Sequence, residues 1–214
     1  MAEPEWFRRT TWTPSDEAAF MARLGRSRTE FHRAQYLRIQ AHHLAETGDP
    51  TLILPALRLL DLLVSAHPDH SQLALAHHQR AQCLVDLGRL PEAIEAFRAS
   101  MSAQRTLRSI ASNAHLDFGE LVCALQRTDL YEEVAEAIAE FGAGTPFPVH
   151  RYKYAAVRAV LAEARGEFPA ATEHAREALA AAAATESPFR RHRSLGLVQF
   201  VDPLLLERLR ALAA

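Results

Sequence analysis

The chain is predicted to be all-α, and three observations support this fold class. Its 214 residues include only 8 glycines and 11 prolines, while strong helix formers such as alanine, leucine, arginine and glutamate fill most of the rest. No stretch alternates polar and apolar residues between turn signals, as a half-buried strand would. Stretches typical of helices recur in pairs joined by short turns, which predicts antiparallel helical neighbours.

About ten helices follow one another along the chain. The first begins after Thr13, where Pro14 takes the first helical position and acidic residues favour the positive end of the helix dipole, and it ends near Gly25. Glycine, proline and aspartate mark the remaining turns, including a loop over 142–148. After the first, helices are predicted over residues 29–47, 51–66, 71–87, 91–104, 107–126, 131–141, 152–165, 169–184 and, behind an Asp202 cap and Pro203, 204–212.

The turns of these helix pairs recur at similar intervals. Gly48, Gly88, Asp129 and Gly166 are separated by 40, 41 and 37 residues, and each lies between two predicted helices. Small residues where the two helices cross allow close approach, and larger residues fill the gap to the next pair. The second unit shows this pattern best, in Ala81, Leu84, Gly88, Leu90, Ala93 and Phe97, and the fourth repeats it in Ala159, Ala162, Gly166, Phe168, Ala171 and Ala175.

On these residues the chain resembles the tetratricopeptide repeat (TPR) family, whose repeat is about 34 residues long. The resemblance implies a right-handed α-solenoid of about four helical hairpins, over residues 29–70, 71–106, 107–147 and 148–187. Because a stack of hairpins leaves apolar faces open at both ends, caps are expected there. The N-terminal cap would consist of an aromatic segment and the first helix, over residues 1–28. The C-terminal cap would consist of a linker and a capping helix, over residues 188–214.

The resemblance also implies where a partner would bind. In this family the first helix of each hairpin lines a concave groove that holds a partner protein or peptide. The register places polar side chains there, which would suit a polar or mildly acidic ligand: Gln35, Arg38, His42, His78, Gln82, Gln126 and Lys153. The lysine–asparagine clamp of some members is not expected, since the chain has one lysine and one asparagine.

Both ends of the chain carry apolar residues that allow two interpretations. Trp6, Phe7 and Trp12 precede the first helix and would either cap the first hairpin or anchor a partner or a second copy of the chain. Residues 195–200 and the last helix would cap the fourth unit. Alternatively, the leucines of that helix would form a homodimer surface, namely Leu204, Leu205, Leu206, Leu209 and Leu212.

The sequence lacks the motifs of common enzymes. It has no phosphate-binding loop, dinucleotide fingerprint, zinc-protease helix or nucleophile elbow. Cys83 and Cys123 stand singly in apolar helices, which favours inert buried thiols over nucleophiles. We therefore expect no catalytic residue, no cofactor and no metal.

Histidine is unusually frequent, at 11 residues, and offers one alternative. His42 and His78 would face one groove, where Glu46 or Asp86 could complete a transition-metal site or a pH-sensitive contact. This alternative would make the chain a histidine-based metal-binding protein or metalloenzyme.

Charge and hydropathy narrow the partner class. A net charge of −2 argues against nucleic acid as a binding partner. No apolar run reaches the roughly 20 residues that a membrane-spanning helix needs, so no membrane segment is expected. The N-terminus has no apolar signal core, so a cytoplasmic, bacterial-type protein is expected. The basic run over 190–193 is interpreted as a solvated loop or as a contact for an acidic partner or phosphate. The predicted function is a non-enzymatic adaptor or scaffold; the alternatives are an immunity or antitoxin protein that neutralises a toxin, and a self-assembling structural protein.

Overall fold

The protein is all-helical over the residues that its structure, a computed structural model, describes: 5–144, 146–189 and 192–214. That part of the chain forms ten α-helices and no strand. They are α1 (Pro14–Leu24), α2 (Glu30–Ala45), α3 (Pro50–Ala66), α4 (His70–Asp86), α5 (Leu90–Thr106), α6 (Ala114–Ala124), α7 (Tyr131–Phe141), α8 (Pro148–Ala164), α9 (Phe168–Ala182) and α10 (Pro203–Ala213). None of the helices in these residues is both long and apolar enough to cross a membrane.

The caps anticipated from sequence are present at the first and last helices. Thr13 accepts a hydrogen bond from the Asp16 amide and Asp16 accepts one from the Thr13 amide, which closes a capping box in front of Pro14. Asp202 accepts a hydrogen bond from the Leu205 amide at 2.9 Å and so begins α10. Each cap satisfies amides that the first turn of a helix leaves unpaired.

The helices divide into two compact units, Met1–Ser112 and Asn113–Ala214, called here the N-terminal and the C-terminal unit. In the N-terminal unit α2 packs against α3 and also against α4, which in turn packs against α5. In the C-terminal unit α6 packs against α7 and α8, and α8 packs against α9. Within each unit, therefore, two consecutive helix pairs lie side by side with their first helices in contact.

The C-terminal unit ends with α10 packed on its neighbours. Leu205 and Leu209 are buried, and α10 contacts α9, α8 and α6. Side chains of α9 satisfy carbonyls at the end of α10: the Thr172 hydroxyl donates to the Leu212 carbonyl at 2.9 Å, and Arg176 Nε donates to the Ala213 carbonyl at 3.1 Å. The last helix thus covers one face of the α8–α9 pair, while Leu204 remains exposed.

Two predicted helix starts are wrong. The sixth helix begins at Ala114 instead of 107, because Asn113 has a left-handed backbone (φ 60°) and the preceding residues are held by side chains. Gln104 Oε1 accepts the Ser112 amide at 2.9 Å, and the Ser100 hydroxyl lies 3.0 Å from that of Ser112. The eighth helix begins at Pro148 instead of 152, since proline fits the first helical position.

We expect Gly119→Ala to destabilise the C-terminal unit. A Cβ at Gly119 would lie 2.9 Å from Val157 Cγ2 and 3.2 Å from Val134 Cγ1. These distances are too short for van der Waals contact, so α6 would have to move away from α8 and α7. Overpacking of this kind costs about 1–3 kcal/mol, and the 2.9 Å approach to a stiff valine side chain favours the upper part of that range, above the roughly 1 kcal/mol that alanine gains over glycine within a helix. Urea unfolding would measure the change.

Gly25→Ala is the matched control, because Gly25 has a helical φ of −60° and its nearest neighbour would be 3.5 Å from the new Cβ. This change should leave the free energy of unfolding within about 0.5 kcal/mol of the wild-type value. A Gly119→Ala protein as stable as wild type would contradict the close approach of α6 and α8.

Candidate functional site

A stripe of polar side chains follows α2 on the side next to its buried residues. Ala34, Leu37, Ala41 and Leu44 are buried against the other helices of the N-terminal unit. Since residues three and four apart share a helix face, the neighbouring stripe holds Gln35, Arg38 and His42. The contact between α2 and α4 brings the start of α4 beside this stripe. We call the three side chains, together with Gln72 of α4, the α2–α4 surface.

Arg38 is held in place by an amide from the neighbouring helix pair. Its Nε donates a hydrogen bond to Gln72 Oε1 at 2.8 Å, and Gln72 is itself buried. Burial lowers the pKa of the Arg38 guanidinium below its ordinary value, although arginine stays charged at neutral pH. No carboxylate of the described residues lies within 4.0 Å of the guanidinium, and Nη1 and Nη2 make no hydrogen bond to those residues. The charge is fixed in position but is not neutralised.

His42 lies one helical turn from Arg38. Its Nε2 is 3.2 Å from Glu46 Oε1, and 45% of the side chain is exposed. Burial lowers the pKa of His42, Glu46 works in the opposite direction, and the nearby His43 and Arg38 lower it further. His42 is therefore largely neutral at pH 7 and can accept as well as donate a hydrogen bond.

The other predicted groove residues lie in several places. Gln35 is half-buried and Gln82 is exposed, both in the N-terminal unit. The His78 ring lies 6.1 Å from that of Phe97 on α5, centroid to centroid. Gln126 is exposed and has a left-handed backbone (φ 52°) just after α6 in the C-terminal unit. The structure brings Arg38 and His42 together, and the role of each predicted residue in partner binding stays a prediction.

Lys153 lies within an ion cluster of the C-terminal unit. Its Nζ is 2.7 Å from Asp117 Oδ1 and 2.9 Å from Glu120 Oε2, both on α6, and the three side chains are only 17–20% exposed. Burial works to lower the pKa of Lys153, but the two carboxylates raise it well above its ordinary value. Burial raises the pKa of Glu120, against the pull of Lys153. The predicted groove cation thus joins α8 to α6.

The N-terminal aromatic residues lie on their own unit. Trp6 is 5.2 Å from Phe20 and 4.8 Å from Tyr36, ring centroid to centroid. Phe7 is 4.7 Å from Tyr36, and Trp12 is 5.4 Å from Phe20. This arrangement supports the capping interpretation, whereas anchoring of a partner stays a prediction.

The metal and catalytic alternatives depend on the cysteines and histidines. Cys83 and Cys123 are buried, and burial is the main cause that raises the pKa of each thiol to about 12. A thiol with so high a pKa is a poor nucleophile and metal ligand. Over the described ranges, no three His, Cys, Asp or Glu side chains are grouped to hold a metal. Arg190 and Arg191 of the basic run lie outside the described residues.

Replacing Lys153 by methionine should lower the free energy of unfolding at pH 7 by roughly 3 kcal/mol, because Asp117 and Glu120 would stay buried without a cation. Lys153→Arg keeps the charge and should lose much less stability.

The stabilising effect of Lys153 should also depend on pH. Because folding raises the pKa of Lys153, the stability that it contributes is complete below the ordinary value of 10.5 and disappears as pH rises through the folded pKa. The difference between wild type and Lys153→Met should therefore shrink at strongly alkaline pH. Equal stability at pH 7 would contradict an ion cluster that supports the fold.

Comparison with known proteins identifies no family for the chain. No protein-family model, curated protein or solved structure matches the chain. The TPR resemblance remains a prediction from the residues quoted above, and the inference of function depends on the chemistry of the surfaces.

Proposed function

We propose that the chain is a non-enzymatic protein–protein interaction module, an adaptor or scaffold built from TPR-like hairpins. The pairs α2–α3, α4–α5, α6–α7 and α8–α9 would be the four repeats of a right-handed solenoid, with α1 and the aromatic segment before it as one cap and α10 as the other. Support comes from each unit separately. In both units the first helices of consecutive pairs are in contact, as stacked hairpins require.

Arg38 carries the proposal that the α2–α4 surface binds the partner. A half-buried charge costs free energy unless an opposite charge or several hydrogen bonds compensate it. Within the described residues Arg38 has one neutral partner, Gln72, which orients the guanidinium through Nε. The two terminal nitrogens remain available, and they form the fork that a carboxylate can accept in a bidentate manner.

The partner is therefore a protein or peptide that presents an acidic side chain to Arg38. Polar groups beside it on the same stripe, Gln35 and His42, would bind the polar flanks of that residue. The helix α2 is fixed by its packing against α3 and α4 before any partner arrives, so little conformational entropy is lost on binding. A binding role needs no nucleophile, which is in keeping with the two buried thiols.

Arg38→Glu should weaken partner binding roughly ten-fold or more. The new carboxylate would repel an acidic partner and would lose the hydrogen bond to Gln72. Affinity purification from a lysate of the source organism, with recovered proteins quantified by mass spectrometry, would compare wild type and variant. We expect at least one protein to fall roughly ten-fold or more in recovery, as loss of a buried charge pair predicts.

Arg58→Glu is the matched control, because Arg58 is an exposed arginine on α3, outside the α2–α4 surface. It should leave recovery of that protein unchanged, and Gln82→Glu should reduce it by less than Arg38→Glu does. Circular dichroism would confirm that each variant is folded. Identical recovery by Arg38→Glu and wild type, or no specific recovery by wild type, would contradict the proposal.

A further inference from the structure

A groove lies between α7 and the α8–α9 pair of the C-terminal unit. In the N-terminal unit α3, the second helix of its pair, packs closely along α4, the first helix of the next pair. Its counterpart α7 is shorter, packs mainly against α6 and touches α8 at few points. The space that this leaves beside α8 is a cavity of about 290 Å³, open to solvent and lined by residues of α7, α8 and α9.

Apolar side chains line much of this cavity, called here the α7–α8 groove. Ile138 of α7 and Leu161 and Ala162 of α8 line it and are buried. Ala135 and Ala139 of α7 line it as well, and their methyl groups leave the space that larger side chains would fill. At roughly 30 Å³ for each water-sized group, the groove has room for about ten non-hydrogen atoms.

Arg158 of α8 brings an uncompensated positive charge to the groove. The residue is half-buried, and its guanidinium carbon lies 5.3 Å from the centre of the Tyr154 ring, one turn earlier on α8. Over the described ranges no carboxylate lies within 4.0 Å of the guanidinium, and no acceptor binds its N–H groups. Because a ring face attracts a cation without neutralising it, the guanidinium keeps its fork of donors for a carboxylate.

The other charged groups of the groove are paired or exposed. Arg165 is 3.5 Å from Glu132 of α7, so a counter-charge already faces it. His174 Nδ1 is 3.4 Å from Glu177 Oε2 on the same helix. Glu167 is exposed and solvated, so its carboxylate opposes an anion less than the half-buried guanidinium attracts it. The charges of the groove therefore favour an anionic ligand.

We infer that the α7–α8 groove binds a small organic anion, in which an apolar ring or short chain carries one carboxylate. The carboxylate accepts two parallel hydrogen bonds from Arg158, while the apolar body covers Ile138 and Leu161. Small-molecule sites generally combine apolar walls with a few polar groups in this way. The site lies in the C-terminal unit, shares no residue with the α2–α4 surface and goes beyond the proposed function.

Two probes of equal size separate charge from apolar contact. They are 3-phenylpropionate and its neutral amide, 3-phenylpropanamide, each titrated into the isotope-labelled full chain and followed by two-dimensional NMR of the backbone amides. We expect the carboxylate to bind saturably with a Kd on the order of 1 mM or below. The amide should bind roughly ten-fold or more weakly, because it cannot form the charge-assisted hydrogen bonds. The signals that shift should cluster in residues 135–139 and 158–162.

Arg158→Gln should weaken binding of the carboxylate roughly ten-fold and change binding of the amide by less than about two-fold, a split that mere disturbance of the groove would not cause. Arg151→Gln is the matched control, because Arg151 is exposed on α8 and does not line the groove. Glu167→Gln should keep or raise the affinity, since it removes a like charge. Equal binding of the two probes, equal binding by wild type and Arg158→Gln, or a loss with Glu167→Gln would overturn the inference.

A second pair of variants tests the place of binding without changing charge. Ala139→Leu puts a larger side chain into the groove at an exposed position of α7, so the helix keeps its buried contacts. It should weaken binding of 3-phenylpropionate roughly ten-fold or more by occupying the space of the ligand. Ala180→Leu, at an exposed position of α9 outside the groove, should leave the affinity unchanged. Unchanged binding by Ala139→Leu would overturn the inference.

Discussion

Close approach of helices through small side chains is the constraint on which the rest of this structure depends. Alanine is the most frequent residue among the buried hydrophobic side chains of the described residues, for example Ala34 and Ala41 of α2 and Ala171 and Ala175 of α9. At Gly119 even a methyl group has no room. Small residues bury little apolar area each, so neighbouring helices must lie close over their length to exclude enough water. This need explains why first helices touch across consecutive pairs in both units.

Polar side chains at the edge of this alanine-rich core form hydrogen bonds and ion pairs that link neighbouring helices. Lys153 ties α8 to α6, and Ser100, Ser112 and Gln104 fix the chain where α5 ends. Arg208 of α10 donates through Nε to Glu163 of α8 at 2.6 Å and lies 3.4 Å from the Tyr131 hydroxyl. Each such group is partnered inside its unit, as partly buried polar groups generally are.

The sequence predicted the number, order and most bounds of the helices because caps, turn residues and helical spacing are local signals. Thr13 with Asp16, Asp202, and the glycines at 48, 88 and 166 are all readable within a few residues. The ion cluster of Lys153 and the hydrogen bonds of Gln40 to the main chain of Arg9 were missed, because they join residues 33–36 and 31 positions apart. A glutamine or a lysine has the same local pattern whether it faces solvent or a distant segment, so periodicity alone could not distinguish the two.

The two basic side chains that sequence placed in one groove, Lys153 and Arg38, differ in how their charge is compensated. Lys153 is largely buried between two carboxylates, while Arg38 is half-buried and faces a neutral amide. A partly buried charge costs free energy when no opposite charge compensates it. The N-terminal unit would therefore be more stable with an acidic residue beside Arg38, or with an apolar residue in place of Arg38. Arginine keeps its charge at every physiological pH, so it cannot escape the cost by losing a proton. A carboxylate supplied from outside would remove the cost only while it is bound, which is the energetic condition for a binding site.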